Sequence, residues 1–370
     1  MERQFWHGKK VLLTGHTGFK GGWLALWLQK LGADVVGYAL DPPDDQCLFA
    51  AADVAREMTD LRGDVRDLNA LRECLEQHQP EIVFHLAAQA LVRESYALPV
   101  ETYATNVMGT VNVLEAIRHC RSVKAAIMVT TDKCYDNREW PWGYRENDPL
   151  GGHDPYSSSK GCAELVIAAY RRSYFASAAN EVGIASVRAG NVIGGGDWAK
   201  HRLVPDIVKG LVAAGTFHIR NPSAVRPWQH VIEPLRGYLL LAERLCDEPN
   251  KWSQAWNFGP HPNDARPVSE VADLMIEMWG SGRWTTDADP HAVHEANSLQ
   301  LDCSKARQLL AWTPQLDLKN ALELTVSWYR ASTNTPACMR GATLQQIGDY
   351  QALASLGPRT ATHPVPRAAA

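Results

Sequence analysis

Tyr156 and Lys160 are separated by three serines. Residues at positions i and i+4 share one face of a helix, so the phenol and the ammonium group would be within mutual reach. A neighbouring cation lowers the pKa of a tyrosine and favours a phenolate, which can accept a proton from a substrate hydroxyl. This spacing also occurs by chance, so the interpretation depends on the surrounding sequence.

Three chemically different side chains precede this pair in Thr131-Asp132-Lys133. They follow the apolar run 125–130, which predicts a buried strand. Wound α/β folds bind their ligands at the carboxyl ends of parallel strands. The sequence therefore predicts that a hydroxyl, a carboxylate and an amine face a ligand at this edge.

A glycine-rich loop lies near the N-terminus, between the predicted strand 10–14 and a predicted helix that ends at Gly32. Its backbone amides and the helix N-terminus can face a pyrophosphate without interference from Cβ atoms. Lys20 stands between Phe19 and Gly21, so the Gly-Lys-Ser/Thr order of a P-loop is absent. The predicted cofactor-binding residues of the loop are Gly15, Thr17, Gly18, Phe19, Lys20 and Gly21.

Asp41 ends the second predicted strand, 20 residues after Gly21. This is the distance at which an acid hydrogen-bonds the ribose diol of a dinucleotide, and an anion there favours NAD over NADP. A glycine-rich turn with a helix-capping aspartate is the structural alternative. Later strand ends add the predicted cofactor contacts Asp64, Val65, Leu86, Ala87, Ala88 and Gln89.

The elements that position these residues alternate along the chain. Strands are predicted at 10–14, 35–40, 82–86, 125–130 and 184–188, with a short one before Gly63, and helices at 68–77, 103–119 and 156–175. Such alternation predicts an α/β fold, a Rossmann-like parallel sheet wound on both faces.

After residue 190 the alternation of strands and helices becomes less regular. Helices are predicted there at 203–214, 231–245, 268–279 and 318–330. We therefore expect a cofactor-binding domain over residues 1–188 and a smaller, interleaved substrate lobe over 189–335. Residues 336–370 form a C-terminal extension with a weak helix prediction at 343–356, followed by a tail expected to be disordered.

Composition excludes several classes of protein. The formal charge of −4 and 45% hydrophobic content describe a globular chain with no large basic surface, so we expect no nucleic-acid partner. No apolar run is long enough for a membrane helix or a signal segment, which predicts a cytoplasmic enzyme. The 8 cysteines contain no CxxC pair, so no metal site is expected.

Over roughly residues 8–330, the chain resembles the extended short-chain dehydrogenase/reductase family. The resemblance rests on the glycine spacing, the threonine after strand five, the tyrosine–lysine pair and the segment Arg-Pro-Trp-Gln-His-Val at 226–231. Within the family, TGHTGFKGGWL, TTDKCYDN, YSSSKG and RAGNVIGGGDWA are similar to the sugar-nucleotide 4,6-dehydratases of the CDP-glucose branch. Other 4,6-dehydratases usually carry glutamate where this chain has Lys133, and lysine is typical of that branch.

The resemblance implies an NAD-dependent lyase with no net oxidation, in a pathway to CDP-linked dideoxysugars such as those of lipopolysaccharide O-antigens. Tyr156, beside Lys160, would remove the proton of the sugar 4-hydroxyl while hydride leaves C4 for NAD, with Thr131 hydrogen-bonded to the same oxygen. The 4-ketone would acidify C5, Asp132 would protonate the departing 6-hydroxyl, and hydride would return to C6. Lys133 takes the place of the C5 base, a role that requires a depressed pKa.

The resemblance also implies substrate contacts and an assembly. Asn191 and Arg226 would contact the sugar or the diphosphate, Arg202 is a further candidate, and Asn257 is either a turn residue or a nucleotide contact. Helices 103–119 and 156–175 carry apolar residues on more than one face, which predicts a homodimer through a four-helix bundle. The alternative is that the second lobe covers them.

Two other functions stay open at this point. A sugar-nucleotide epimerase, or a dehydratase for a dTDP- or GDP-sugar, would share the fold and the tyrosine–lysine pair. Asp132 argues against the epimerase, which needs no acid for a leaving 6-hydroxyl. A non-catalytic NAD-binding protein is the third interpretation, and the intact Thr131, Tyr156 and Lys160 argue against it.

Overall fold

A computed structural model describes residues 3–176, 181–213, 215–286, 298–334 and 339–355. The strands in these ranges are β1 (Lys10–Thr14), β2 (Asp34–Ala39), β3 (Thr59–Arg62), β4 (Ile82–His85), β5 (Ala125–Val129), β6 (Gly183–Arg188), β7 (Val192–Ile193), β8 (Thr216–His218), β9 (Val225–Pro227), β10 (Gln229–His230), β11 (Ala255–Asn257), β12 (Ala265–Pro267) and β13 (Arg283–Thr285).

The α-helices in the same ranges are α1 (Arg3–Trp6), α2 (Phe19–Leu31), α3 (Leu48–Ala51), α4 (Leu68–His78), α5 (Val92–Ala97), α6 (Pro99–Tyr103), α7 (Gly109–His119), α8 (Pro155–Tyr170), α9 (Leu203–Ala213), α10 (Ile232–Asp247), α11 (Pro249–Trp252), α12 (Val268–Trp279), α13 (Ser304–Leu309), α14 (Leu318–Asn334) and α15 (Met339–Ser355). Short 3₁₀ turns span Val54–Glu57, Asp132–Cys134 and Pro262–Asp264, and π-helical turns span Ala104–Met108 and Arg171–Phe175.

Seven of the described strands form one parallel sheet in the order β11-β6-β5-β4-β1-β2-β3. The order reverses between β1 and β4, where successive crossovers leave to opposite sides of the sheet. This is the doubly wound, Rossmann-like α/β fold that the alternation predicts, and the prediction is confirmed.

Alternate residues of each strand face two apolar clusters on opposite sides of the sheet. Val11 and Leu13 of β1 belong to one cluster, which also includes residues of α2, α10 and α14. Leu12 belongs to the other, with residues of α4, α7 and α8. Both faces are therefore buried, which explains why the strands read as continuous apolar runs.

The predicted elements lie close to the observed ones. Helix α2 ends at Leu31, and Gly32, with a φ of 85° in the left-handed region, caps it as predicted. The predicted helix 103–119 is interrupted by a π-helical turn, and α8 runs into a second one. Within the described ranges, no helix has the length and apolar character needed to cross a membrane.

Parts of the chain after residue 190 return to the main sheet. Strand β11 pairs with β6 at its edge, and α10 packs on β5 and β6. Three two-stranded sheets pair β10 with β7, β12 with β9 and β13 with β8. The late segments thus form small sheets of their own and also extend and cover part of the main sheet.

The predicted C-terminal helix exists and begins earlier than expected, at Met339. It packs on α2 and α14. The Tyr350 hydroxyl donates a hydrogen bond of 2.6 Å to the buried Glu233 carboxylate, and its ring meets Trp27 edge-on at 5.9 Å. The tail expected to be disordered, together with Leu356, lies outside the described residues.

Candidate active site

The glycine loop packs so closely that side chains are excluded at two of its positions. A Cβ at Gly15, where φ is 78°, would lie 2.7 Å from the backbone nitrogen of Ala87. A Cβ at Gly21 would lie 2.1 Å from the Gly15 oxygen, whereas Gly18 is exposed and meets nothing closer than 3.4 Å. The loop therefore presents backbone amides at the start of α2 to the space in front of it, a geometry suited to a phosphate group.

A cleft of about 1280 Å³ opens in front of this loop. Ordinary small-molecule sites occupy about 300–1,000 Å³, so the cleft has room for a dinucleotide and a second molecule. The predicted site residues that line it are Gly15, Thr17, Gly18, Phe19, Lys20, Gly21, Asp64, Val65, Leu86, Ala87, Ala88, Thr131, Asp132, Lys133, Tyr156, Lys160, Asn191, Arg202 and Arg226. Three predicted residues, Asp41, Gln89 and Asn257, do not line it.

Asp41 lies just beyond the cleft, past the end of β2. Its exposed carboxylate pairs with Arg62, with 3.0 Å between Oδ1 and Nε. Arg62 also pairs with Asp60 and lies 5.2 Å from the ring centre of Phe49. The neighbouring Leu40 does line the cleft, so the contact between Asp41 and an adenine ribose stays a prediction.

Gln89 supports the cleft wall from behind. Its side-chain nitrogen donates to the Leu91 oxygen and the Thr102 hydroxyl, each at 3.1 Å. Its backbone nitrogen donates to Asn106 Oδ1 at 2.9 Å. The prediction that Gln89 binds cofactor directly is therefore not supported, because its side chain is turned toward α6.

Asn257 is a correction to the predicted substrate contacts. The residue is fully buried at the end of β11. Its Nδ2 donates to the backbone oxygens of Tyr144 and Asp302, at 2.8 Å and 3.2 Å, and its Oδ1 accepts from the Tyr135 hydroxyl at 2.8 Å. Because protein groups occupy its amide, Asn257 holds the loops together and does not reach the nucleotide.

The turn after β5 places Asp132 at the floor of the cleft. Asp132 is fully buried, and the Thr131 hydroxyl donates to its Oδ1 at 3.0 Å. No group among the described residues hydrogen-bonds its Oδ2, and a Cβ at Gly190 would lie only 1.7 Å from that oxygen. Lys133 is one-third exposed, with Nζ 3.9 Å from Oδ1. A buried carboxylate oxygen without a donor is expected to meet a ligand.

Tyr156 and Lys160 lie in the first turns of α8, which Asp154 caps by accepting from the Ser157 amide at 2.9 Å. Burial raises the pKa of Tyr156 to about 12, against the opposing effects of a hydrogen bond with Thr131 and the Arg202 charge. The Arg202 guanidinium is the cation with the largest lowering effect on the pKa of Tyr156 here, and the effect expected from Lys160 beside a bound nicotinamide stays a prediction. Lys160 donates to the Val129 oxygen at 3.2 Å, and burial lowers its pKa to about 8.

Two further cationic side chains, Lys20 and Arg202, lie near Asp132 and Tyr156. Burial and the Arg202 and Lys160 charges lower the pKa of Lys20 to about 8. Arg202 pairs with Asp197 at 2.8 Å. Asn191 has a φ of 45°, and its buried Oδ1 has no partner among the described residues. This part of the cleft is suited to the diphosphate of an anionic ligand.

A buried ion pair behind the site is absent from the sequence predictions. Glu164, one turn after Lys160, accepts from the Thr130 and Ser186 hydroxyls at 2.5 Å and 2.8 Å. It also pairs with Arg188 of β6, whose Nε and NH2 donate at 2.9 Å and 2.8 Å. The carboxylate thus ties the helix of the tyrosine–lysine pair to β5 and β6. A glutamate on the buried face of α8 and an arginine ending a buried strand were the only signals, and no local spacing connects them.

Comparison with known proteins identifies the family. The model of the family described as GDP-mannose 4,6 dehydratase matches residues 12–325.

The chain belongs to this family.

Several known proteins are similar to this chain over most of their length. CDP-glucose 4,6-dehydratase of Salmonella typhimurium is 53% identical over 335 residues, which cover 90% of this chain and 93% of that protein. CDP-paratose 2-epimerase of Salmonella typhi is 30% identical over 86% of this chain and 98% of its own length. The solved structure of MoeE5 in complex with UDP-glucuronic acid and NAD is 25% identical, has a TM-score of 0.74, and is matched over 87% of this chain and 99% of that one. The expected relationship to NAD-dependent dehydratases and epimerases is confirmed.

Proposed function

We propose that this protein converts CDP-D-glucose to CDP-4-dehydro-6-deoxy-D-glucose and water. The observation that carries the proposal is the 53% identity to a CDP-glucose 4,6-dehydratase over 90% of the chain. The cleft supports it, because Thr131, Asp132, Lys133 and Tyr156 line one wall. Together they supply the base and acid that oxidation and elimination require.

The glycine loop fits the cofactor NAD. Positions 15 and 21 admit no Cβ, and the amides at the start of α2 suit a pyrophosphate. Thr17 and Asp64 would contact the nucleosides, and Lys160 the nicotinamide side. When bound, NAD takes up hydride from C4 of the sugar and returns it to C6.

In the first step Tyr156 accepts the proton of the sugar 4-hydroxyl. Thr131, hydrogen-bonded to Tyr156, orients the same oxygen. Burial raises the pKa of the phenol and so disfavours the phenolate. The positive charges of Lys160 and Arg202 oppose this effect and stabilise the phenolate. The reaction therefore depends on Lys160 remaining protonated.

In the second step Asp132 donates a proton to the departing 6-hydroxyl. Its Oδ2, which lacks a protein partner, is the atom we assign to this transfer. Lys133 lies beside it and removes the proton from C5. An epimerase would need no acid at this position. The role of Asp132 therefore distinguishes the proposed dehydratase activity from that of the epimerase that is 30% identical to this chain.

The substrate assignment is tested by incubating the enzyme with CDP-, dTDP-, UDP- and GDP-glucose. We expect the 4-keto-6-deoxy product, detected by its absorbance in alkali, mainly from CDP-glucose. Preferred turnover of another nucleotide sugar contradicts the CDP assignment, and epimerised sugar without the ketone contradicts the dehydratase.

We expect NAD(H), and not NADP(H), to be released when the purified protein is denatured. The hydride returns to the same sugar, so a cofactor that exchanged in mid-cycle would strand the intermediate. Asp41 at the end of β2 would repel a 2′-phosphate. Chromatography of the supernatant measures the nucleotide, and recovery of NADP would remove the role given to Asp41.

The Lys160 cation leads to a prediction about pH. Glu164 raises the pKa of Lys160, so its loss lets burial lower that pKa below about 8. Activity is present below the pKa of Lys160 and lost above it. In the double variant Glu164→Gln, Arg188→Met we therefore expect kcat/KM to fall at a lower pH than in the wild type.

This double variant removes both buried charges, so neither is left unpaired. Ser186→Ala is the matched control, since it removes one hydrogen bond to Glu164 and no charge. It should retain the wild-type pH profile. An unchanged profile in the double variant means that Glu164 has no electrostatic effect on Lys160.

We propose that the protein forms a homodimer through the helices around residues 98–108 and 165–174. Large apolar side chains are exposed there, Val100 at 79%, Leu165 at 60% and Met108 at 51%. Helices α6 and α8 and the π-helical turn Ala104–Met108 pack together, so these side chains lie on neighbouring elements, where a second copy can bury them.

We expect light scattering to give about twice the 40.9 kDa chain mass. Val100→Asp should shift the protein toward the monomer, because it places a charge in the apolar interface. Leu309→Asp, at a residue that is 59% exposed on α13, is the control and should stay dimeric. A wild type that remains a monomer at micromolar concentration excludes this assembly.

We also propose that residues 1–188 mainly bind NAD, that 189–335 mainly bind the sugar nucleotide, and that 336–370 extend the chain beyond both. A cytoplasmic location and a place in dideoxysugar synthesis for O-antigens are consistent with a CDP-sugar substrate.

A further inference from the structure

The cleft continues beyond the turn Asp132–Cys134 to a part between α9 and β8, which we call the slot. Ile207, Phe217 and Ile219 are buried and line it, with Ala224 and Val268 nearby. Arg202, which is electrostatically coupled to Tyr156, directly precedes α9. With the sugar at Tyr156 and the diphosphate at Arg202, the nucleoside must extend into this slot. Its apolar walls suit a flat aromatic ring.

Asp206 is the acidic side chain of the slot, in the first turn of α9. The residue is half-buried, and no hydrogen bond or ion pair from the described residues reaches its carboxylate. Other acids that line the cleft have protein partners: Asp197 pairs with Arg202, Asp154 with Ser157, and Asp64 with Arg66. Asp206, like Asp132 with its unpartnered Oδ2, thus keeps acceptor capacity for a ligand.

Burial makes the unpartnered carboxylate of Asp206 costly without a ligand donor. Burial raises the pKa of Asp206, and Arg220, Lys209 and His201 oppose that effect only as nearby charges. Arg220 donates to the His201 oxygen at 3.2 Å. A carboxylate in the path of an anionic substrate weakens binding unless it accepts hydrogen bonds from that substrate.

We infer that Asp206 accepts a hydrogen bond from the 4-amino group of cytosine and thereby selects CDP-sugars over UDP- and dTDP-sugars. This inference rests on the proposed function. Uracil and thymine carry a carbonyl oxygen in place of that amino group. That oxygen would face the Asp206 carboxylate, and two hydrogen-bond acceptors repel each other. Asp206 therefore favours the binding of cytosine and disfavours the binding of uracil and thymine.

The experiment compares kcat/KM for CDP-glucose and UDP-glucose in the wild type, Asp206→Asn and Asp206→Ala. We expect the CDP:UDP preference to fall by about 10- to 100-fold in both variants, with kcat for CDP-glucose little changed. In Asp206→Asn the amide can also donate to uracil, so turnover of UDP-glucose should rise. Asp247→Asn, at an exposed residue ending α10, is the matched control and should keep the wild-type preference.

Equal losses on both sugars would assign Asp206 to the ribose or to the fold and overturn the inference, as would an unchanged preference. Both outcomes leave the proposed function standing if the wild type turns over CDP-glucose. A wild type that turns over UDP-glucose but not CDP-glucose overturns both.

Discussion

Tyr156→Phe is expected to stop the reaction before any reduced nicotinamide forms. The substitution removes one oxygen and keeps the ring, so the packing of α8 should be retained. Without the phenol, the cleft loses the side chain that Thr131 positions to accept the 4-hydroxyl proton. Positioned acid–base groups contribute about 10²- to 10⁴-fold, so a loss in this range is expected for oxidation.

Single-turnover absorbance of the reduced nicotinamide measures this step, with release of the ketone as the second readout. Tyr170→Phe is the matched control, since Tyr170 lies on the same helix and donates a long 3.5 Å hydrogen bond to Glu115 outside the cleft. It should behave as the wild type. Oxidation by Tyr156→Phe at the wild-type rate would transfer the base role to another group.

The sequence was sufficient for those parts of the site that depend on local geometry. The glycine spacing from Gly15 to Gly21 predicts the loop, because a Cβ at Gly21 would meet the Gly15 oxygen, although the exclusion of a side chain at Gly15 comes from Ala87 after β4. Tyr156 and Lys160 share a face because four residues make about one helical turn. The edge position of Thr131 and Asp132 follows from the end of a buried strand.

Contacts between distant segments could not be predicted in the same way. Asn257 follows a buried strand, as a ligand-binding residue would, but Tyr144 and Asp302, which are far away in the chain, accept from its amide. The Glu164–Arg188 pair depends on the packing of α8 against β6. The pKa of Tyr156 depends on burial and on Arg202, which is 46 residues further along the chain, so the adjacent lysine alone could not predict it.

Asp132→Asn is expected to separate oxidation from elimination. The amide has the shape of the carboxyl group and cannot supply the proton for the 6-hydroxyl. Oxidation at C4 should continue, because Tyr156 and Thr131 are unchanged, while water loss slows by about 10²-fold or more. With substrate in excess, reduced nicotinamide should accumulate in this variant and not in the wild type, and its absorbance measures the block.

Asp67→Asn is the matched control for this variant. Asp67 caps α4 by accepting from the Ala70 amide at 3.0 Å, and asparagine caps a helix equally well, so its turnover should be unchanged. Lys133→Met is the companion variant: if Lys133 removes the C5 proton, it should also accumulate reduced nicotinamide and should not exchange that proton with deuterated solvent. In Asp132→Asn, by contrast, Lys133 is intact, so exchange at C5 can continue after oxidation. Turnover of Asp132→Asn at the wild-type rate would show that the buried Oδ2 is not the proton donor, and the elimination step would then need another acid.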